Sequence, residues 1–418
     1  MLIKLARLSV CNRRTTASLT LASLIISVAL VLGIDHLRVQ AKKSFSQTLS
    51  GTDLIVGARS GQLNLLLYSV FRIGNATNNI TWQSFQELSR HSAVEWTVPL
   101  SLGDSHRGFR VLGTTAAYFE HYRYGQQRPL IFAEGKIFNG VYDAVLGAEV
   151  ARKLNYQVGD ELVLAHGSGA VNLHHHDDKP FRVTGILQPT GTPVDRTVHI
   201  SLAGIEAIHL DWQQGMPIPG NTISAEAALQ QDLTPKNITA MLVGLKSRAA
   251  TFTVQRQVNQ YPQEPLMAIL PGVALTELWQ MLSVVENVLY LISIMVLLAV
   301  LIGMMTSLLA SMNERQREIA ILRAVGAGAG YLFLLIELEV LLLIVLALAG
   351  GVLLLTGSLW IAQPMLADQF GLFIDINPLQ PQTFYLLGGI VGLAMLMGLI
   401  PALSAYRRAL SDGLAQRL

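Results

Sequence analysis

At 418 residues, 51% of them apolar and 14% charged, the chain is too apolar for an ordinary soluble protein and too charged for one lying wholly within a bilayer. Its formal net charge of +2 does not favour nucleic acid as a partner. The single cysteine, Cys11, excludes an internal disulfide, and with it a disulfide-stapled secreted fold.

A bilayer core of about 30 Å takes roughly 20 helical residues at about 1.5 Å rise each. The chain opens with Lys4, Arg7, Arg13 and Arg14, and then runs free of charge from Thr16 to Ile34 before meeting Asp35. This stretch predicts the first membrane span. No A-x-A-like cleavage site follows it, so an uncleaved anchor is expected. Leu8-Ser9-Val10-Cys11 is not a lipid-attachment box, because it precedes the apolar run and has Val where a small residue is needed. From Asp35 to Thr48, Leu37, Ala41 and Phe45 recur every fourth residue, which extends the helix beyond the span.

Residues 36–283 read as an ordinary globular segment. Alternating or β-branched runs predict strands at Thr52–Val56, Val94–Leu100, Phe109–Leu112, Glu161–Ala165, Phe181–Leu187, Thr197–Leu202, Ile238–Leu245 and Met267–Leu270. Helical pieces lie between them at Thr81–Ser89, Ala148–Leu154 and Thr251–Gln260, so the segment is α+β. In the turn at 155–160, Gly159 allows a tight backbone. After Pro271-Gly272 a helix from about Ala274 runs on towards the second span. With the extension of span one, it forms either a two-helix stalk or a pair of flexible linkers. Neither junction is rich in Gly or Ser, which favours the stalk.

Three further spans are predicted at Val288–Met312, Tyr331–Ile361 and Thr383–Leu403. Arg315, Arg317 and Arg323 lie between the second and third, and Arg407, Arg408 and Arg417 follow the fourth, whereas the 362–382 loop has no Lys or Arg. The positive-inside rule therefore puts both termini and the 313–330 loop in the cytoplasm, and the large insert outside. Three regions result: 1–35 (N-terminus and first span), 36–283 (outer domain with its stalk) and 284–418 (the remaining spans). Glu337 and Glu339 lie about 10 Å into the third span, where a structural contact is expected rather than a proton relay. Glu286 falls at the outer interface.

The 313–327 segment carries the sharpest signal. It starts on Asn313, a good helix cap, and stays helical in character until Gly326. Glu314 can pair with Arg317, and Arg315 with Glu318, one turn apart. Ile319, Leu322 and Val325 form an apolar stripe. Such a helix at the membrane surface suits docking into a groove on a soluble partner. The run Glu314-Arg-Gln-Arg-Glu-Ile-Ala-Ile-Leu-Arg-Ala-Val-Gly-Ala327 closely resembles the loop after the second span of FtsX-like permeases, the MacB and lipoprotein-releasing type of ABC transporter subunit. Glu339-Val-Leu-Leu-Leu with Gly350-Gly351, and Pro401-Ala-Leu-Ser-Ala-Tyr-Arg-Arg, look like that family's third and fourth spans. Val145–Leu154, Val158-Gly-Asp-Glu-Leu162 and Phe181–Ile186 resemble the MacB-like periplasmic core. The tail from Ser411 departs from the family in having no Pro after the basic pair.

The resemblance implies four transmembrane helices with a MacB-like α+β periplasmic domain inserted between helices 1 and 2, in a bacterial inner membrane. It also implies a permease dimer, of two copies or of a copy and a paralogue, joined to a cytoplasmic ABC ATPase that holds ATP and Mg. No G-x-x-x-x-G-K-[ST] loop occurs in the sequence, so the ATPase is expected on another polypeptide. Glu314, Arg317, Glu318, Ile319, Leu322, Arg323 and Gly326 are the coupling residues that follow. Glu339 falls on the third span's motif, with a structural role. Membrane lipid and a periplasmic or outer-membrane protein are further expected partners.

His174-His175-His176-Asp177-Asp178, with His166 nearby, lies between the strands at 161–165 and 181–187. Imidazole and carboxylate suit zinc, copper or nickel. His174 and His176 share a face on an extended chain, and Asp178 and His166 complete a shell if the loop folds back. The bland alternative is a solvated hairpin loop. No G-x-S-x-G elbow stands beside them. Three functions follow: export or extraction of a bulky substrate (lipoprotein, peptide or lipophilic molecule), an FtsX-like regulator of a periplasmic partner, or a zinc-related transport system.

Overall fold

The computed structural model describes residues 14–46, 48–166, 178–213, 216–217, 223–314, 321, 324–370 and 375–414. The chain forms two compact units, one made of the long apolar helices and one of residues 42–281 with 367–373.

Four helices are long and apolar enough to cross a membrane: α1 (Arg14–Ser46), α6 (Pro271–Glu314), α7 (Ala329–Phe370) and α8 (Pro381–Leu414). With 33 to 44 residues each, they run to about 50–65 Å, well beyond a hydrocarbon core of about 30 Å. The extension of α1 to Ser46 and the start of α6 at Pro271 follow the helical periodicity of both junctions.

Half of the apolar window of α7 is buried, against 22–28% in the other three, so α7 is the central helix of its unit. Small residues let it approach its neighbours. A Cβ on Gly350 would lie 2.7 Å from Ile25 Cδ1, and one on Gly351 would lie 2.6 Å from Val28 Cγ1 and 3.3 Å from the Ala29 nitrogen. Close backbone approach of this kind supports helix packing in lipid, where the hydrophobic effect gives no drive. Gly351→Leu is therefore expected to lower stability by about 1–3 kcal/mol through overpacking. Gly388→Leu, facing open space, is the control, and thermal melts of both variants in detergent are the measurement.

The other unit is built on an eleven-stranded mixed sheet. Its strands are β1 (Leu54–Ala58), β2 (Val94–His106), β3 (Phe109–Thr114), β4 (Phe132–Gly135), β5 (Asp143–Leu146), β6 (Glu161–Leu162), β7 (Ala165–His166), β8 (Phe181–Leu187), β9 (Thr197–Ser201), β10 (Ala240–Leu245) and β11 (Leu266–Ile269). They run in the order β11-β1-β10-β2-β3-β9-β5-β8-β4, with β7 on β2 and β6 on β8. The pairs β3–β9 and β5–β8 are parallel.

All of β1 is buried because both faces of the sheet are covered. Its period-2 alternation sends Ile55 to a core with Val98, Leu100 and Leu242, and Leu54, Val56 and Ala58 to another with Val243, Val254 and Val258. Val254 and Val258 are one turn apart on α5 (Thr251–Asn259), which packs its apolar face there. The remaining helices used below are α2 (Trp82–Ser89), α3 (Ala148–Leu154) and α4 (Leu202–His209). The turn after α3 takes Gly159 at φ +106°, as anticipated for a tight turn there, and also Asn155 at φ +55°.

Two strands of the sheet, β4 and β5, were not anticipated at all, and three of the anticipated runs differ from expectation. β2 runs to His106 rather than ending at Leu100, since its second half pairs with β3 while its first pairs with β10. The 161–165 run is two short strands on different partners, and 238–245 breaks at Thr239.

Candidate functional site

At the far end of α6, Arg317, Glu318, Ile319, Leu322 and Arg323 lie outside the described residues, as does the side chain of Glu314. The segment's close is visible. Val325 N–H donates to the Ile321 carbonyl at 3.1 Å, and Gly326 follows at φ +99°, ending the turn as only glycine does without strain. Ile321 and Val325 are both exposed.

Glu337 and Glu339 are both buried on α7. Their positions two residues apart imply different faces, but the central helix is covered on more than one side. The Glu337 carboxylate has no hydrogen-bond partner among the described residues, and a Cβ at Gly398 of α8 would lie 3.3 Å from its Oε2. Nearer the other end of the helices, Arg38 Nε meets Glu286 Oε2 at 3.0 Å, so Glu286 ties α6 to α1. His36 Nε2–H donates to the Asp375 carbonyl at 2.6 Å.

In the sheet unit, titratable side chains converge around His166. The β2–β7 register sets His166 directly opposite Asp104, and β2 shifts register against β3 between Leu102 and Ser105, around that aspartate. His209, the last residue of α4, completes the group. His166 Nδ1 lies 3.1 Å from Asp104 Oδ1 and 3.2 Å from His209 Nε2, and His209 Nε2 lies 3.5 Å from Asp104 Oδ1. The Asp104 side chain is 1% exposed, those of His166 and His209 36% and 25%. His209 Nδ1–H donates to the Ile205 carbonyl at 2.8 Å. Burial lowers the His209 pKa, but the hydrogen bond and charge of Asp104, with smaller help from the Ile205 carbonyl and Glu206, outweigh it and hold the imidazole above its ordinary value. Trp212 packs on both rings, with centroids 5.3 Å from His166 and 6.1 Å from His209.

Of the residues singled out in the histidine-rich insertion, His174 and His176 lie outside the described residues. Asp178 is placed on Lys179 Nζ at 3.2 Å. That lysine is fully buried and also meets both carboxylate oxygens of Asp211, at 2.8 and 2.9 Å. Asp104 and His209 had no signal in the sequence, being 62 and 43 residues from His166. Only strand register and the end of α4 bring them together.

Four apolar helices with an α+β domain inserted after the first define a multi-pass membrane protein. Residues 17–261 match the MacB-like periplasmic core domain, and residues 290–410 match the FtsX-like permease C-terminal domain. The chain therefore belongs to the FtsX/MacB-like family of ABC transporter permeases, which work with an ATPase. Among solved structures, the periplasmic region of MacB from Actinobacillus actinomycetemcomitans is similar at 10% identity and TM-score 0.33, over 55% of this chain and 94% of that one. The extracellular domain of the noncanonic ABC-type transporter YknZ from Gram-positive bacteria is similar at 12% identity and TM-score 0.30, over 52% and 99%. Among curated proteins no sequence matches.

Proposed function

We propose that this permease couples ATP hydrolysis by a separate cytoplasmic ATPase to motion of its outer domain, exporting or extracting a bulky substrate such as a lipoprotein, peptide or lipophilic molecule. The observation that carries the reading is the 313–327 segment, with alternating charge on one side and an apolar stripe on the other, ending at Gly326. The distribution of Lys and Arg favours both termini and this segment in the cytoplasm, with the sheet unit outside. The exposed Ile321 and Val325 suit an apolar groove on the ATPase, and the surrounding arginines and glutamates suit its charged rim. The lengths of α1 and α6, each unbroken beyond a bilayer's thickness, favour mechanical transmission rather than a pore. Two permeases, identical or paralogous, are expected around an ATPase dimer.

Replacing Ile319 and Leu322 together by Asp buries charge in the proposed groove. The variant is expected to insert normally yet lose co-purification with the ATPase, read by detergent pull-down. Full retention of the ATPase sinks the coupling assignment. Transport and FtsX-like regulation are told apart in the same preparation by whether lipophilic substrate or a periplasmic protein stimulates ATP hydrolysis.

A further inference from the structure

We propose that Asp104, His166 and His209 form a binding site for a divalent transition metal ion of the zinc type. The three donor atoms form a triangle. Its sides are 3.1, 3.2 and 3.5 Å. Bonds of roughly 2.0–2.1 Å at tetrahedral angles place donors about 3.3 Å apart, so an ion fits just off the plane of these three atoms without moving them. Two imidazoles and one carboxylate are a ligand set for zinc and its neighbours. Calcium and magnesium, which take six or more oxygens, are poorly matched.

Ring orientation fits the same reading. The His209 Nδ1–H···O=C Ile205 bond turns Nε2 towards the other two donors, where a metal ion would take the place of a proton. A backbone carbonyl holding the outer nitrogen of a histidine is the usual support for a metal ligand, because it fixes the tautomer and raises ligand basicity. His166 Nδ1 sits within hydrogen-bond reach of both Asp104 and His209, and a single proton there cannot serve both at once. An ion with two positive charges can take all three donor atoms as ligands together.

The surroundings hold the ligands firmly. Asp104 and His166 are cross-strand neighbours, and His209 is carried by a helix. Trp212 covers the two rings on one side, while their partial exposure leaves a way in for the ion. Three protein ligands leave one tetrahedral position for water or another donor.

The test uses the full-length protein in detergent, without a polyhistidine tag and stripped with a chelator. Zinc is titrated against a chromophoric competitor, and cobalt(II) is used to read coordination from its visible spectrum. The expected result is one zinc per chain at this site, a four-coordinate cobalt spectrum, and a melting point that rises with zinc. His166→Asn and His209→Gln should each weaken zinc binding by about a hundredfold or more and abolish the cobalt bands. Asp104→Asn, which keeps the shape of the buried side chain, should do the same if a histidine variant misfolds. Combined replacement of His174, His175 and His176 by Ala should leave site and spectrum in place. No zinc binding in the micromolar range overturns the proposal. So does binding unchanged in the His166 and His209 variants, or binding lost only when the histidine run is removed.

Discussion

Lys179→Met is expected to destabilise the sheet unit by about 3–5 kcal/mol, the loss that follows when one partner of a buried ion pair is removed. Lys179 is 0% exposed, and its Nζ makes two short contacts with the Asp211 carboxylate, whose side chain is 7% exposed. Asp211 Oδ2 also accepts from the Ile223 N–H at 3.2 Å. Methionine fills the stem's volume but leaves the Asp211 charge buried without its cation. The contact with Asp178, whose side chain is 46% exposed, adds little, because solvent already screens it. The double variant Lys179→Met, Asp211→Leu should recover most of the loss, since two apolar groups need no partner. Thermal and denaturant unfolding of the three proteins in detergent measures this. A single variant as stable as the parent means the pair is not buried as described.

The second large effect is acid lability from His199. Its ring is fully buried beside Tyr118 and Phe119, with centroids 5.3 and 5.7 Å away, and its Nδ1–H donates to the Val145 carbonyl at 3.3 Å. Burial, with the charge of Arg72, drives its pKa down to about 3 against the weaker opposing pull of the carbonyl. In the unfolded chain the same group titrates near about 6.5. Between those values the unfolded state binds a proton that the folded state refuses. The stabilisation is therefore fully present above about pH 6.5 and drains away as pH falls, by on the order of 3 kcal/mol at pH 4. His199→Leu removes the titrating group while keeping the site apolar. Its melting temperature should fall less between pH 7 and pH 4 than the parent's. Parallel profiles for the two proteins would contradict the assignment.

The parts of the fold legible in the sequence are those written in local periodicity. Long apolar runs, free of charge except for Glu337 and Glu339 in the third, marked the four membrane helices, and the Phe181–Leu187 and Ala148–Leu154 elements appear within the anticipated bounds. What could not be read is what depends on contacts distant in the chain. The continuation of β2 through Ser101, Asp104 and Ser105 has no apolar alternation to announce it. It is stabilised by pairing with β3 and β7. That pairing alone makes Asp104 the neighbour of His166. Nothing in the sequence singles out Lys179 as buried, and its partner Asp211 lies 32 residues further along the chain. Glu337 and Glu339 could be placed at a depth but not given surroundings, because the sequence does not reveal that α7 is the central helix. The residues proposed to couple to the ATPase are the reverse case. Their pattern is strong in the sequence, while all but Gly326 of the assigned set lack a described side chain.

The proposed role makes this chain the membrane half of an ATP-driven machine whose motor is a separate polypeptide. Purification of the tagged full-length protein from its native membrane in mild detergent, with mass spectrometry of everything retained, tests it most directly. The expected result is an ABC ATPase in amounts comparable to the permease, lost when Ile319 and Leu322 are both changed to Asp. A permease that purifies with no ATPase, under conditions that preserve its own dimer, would contradict the account.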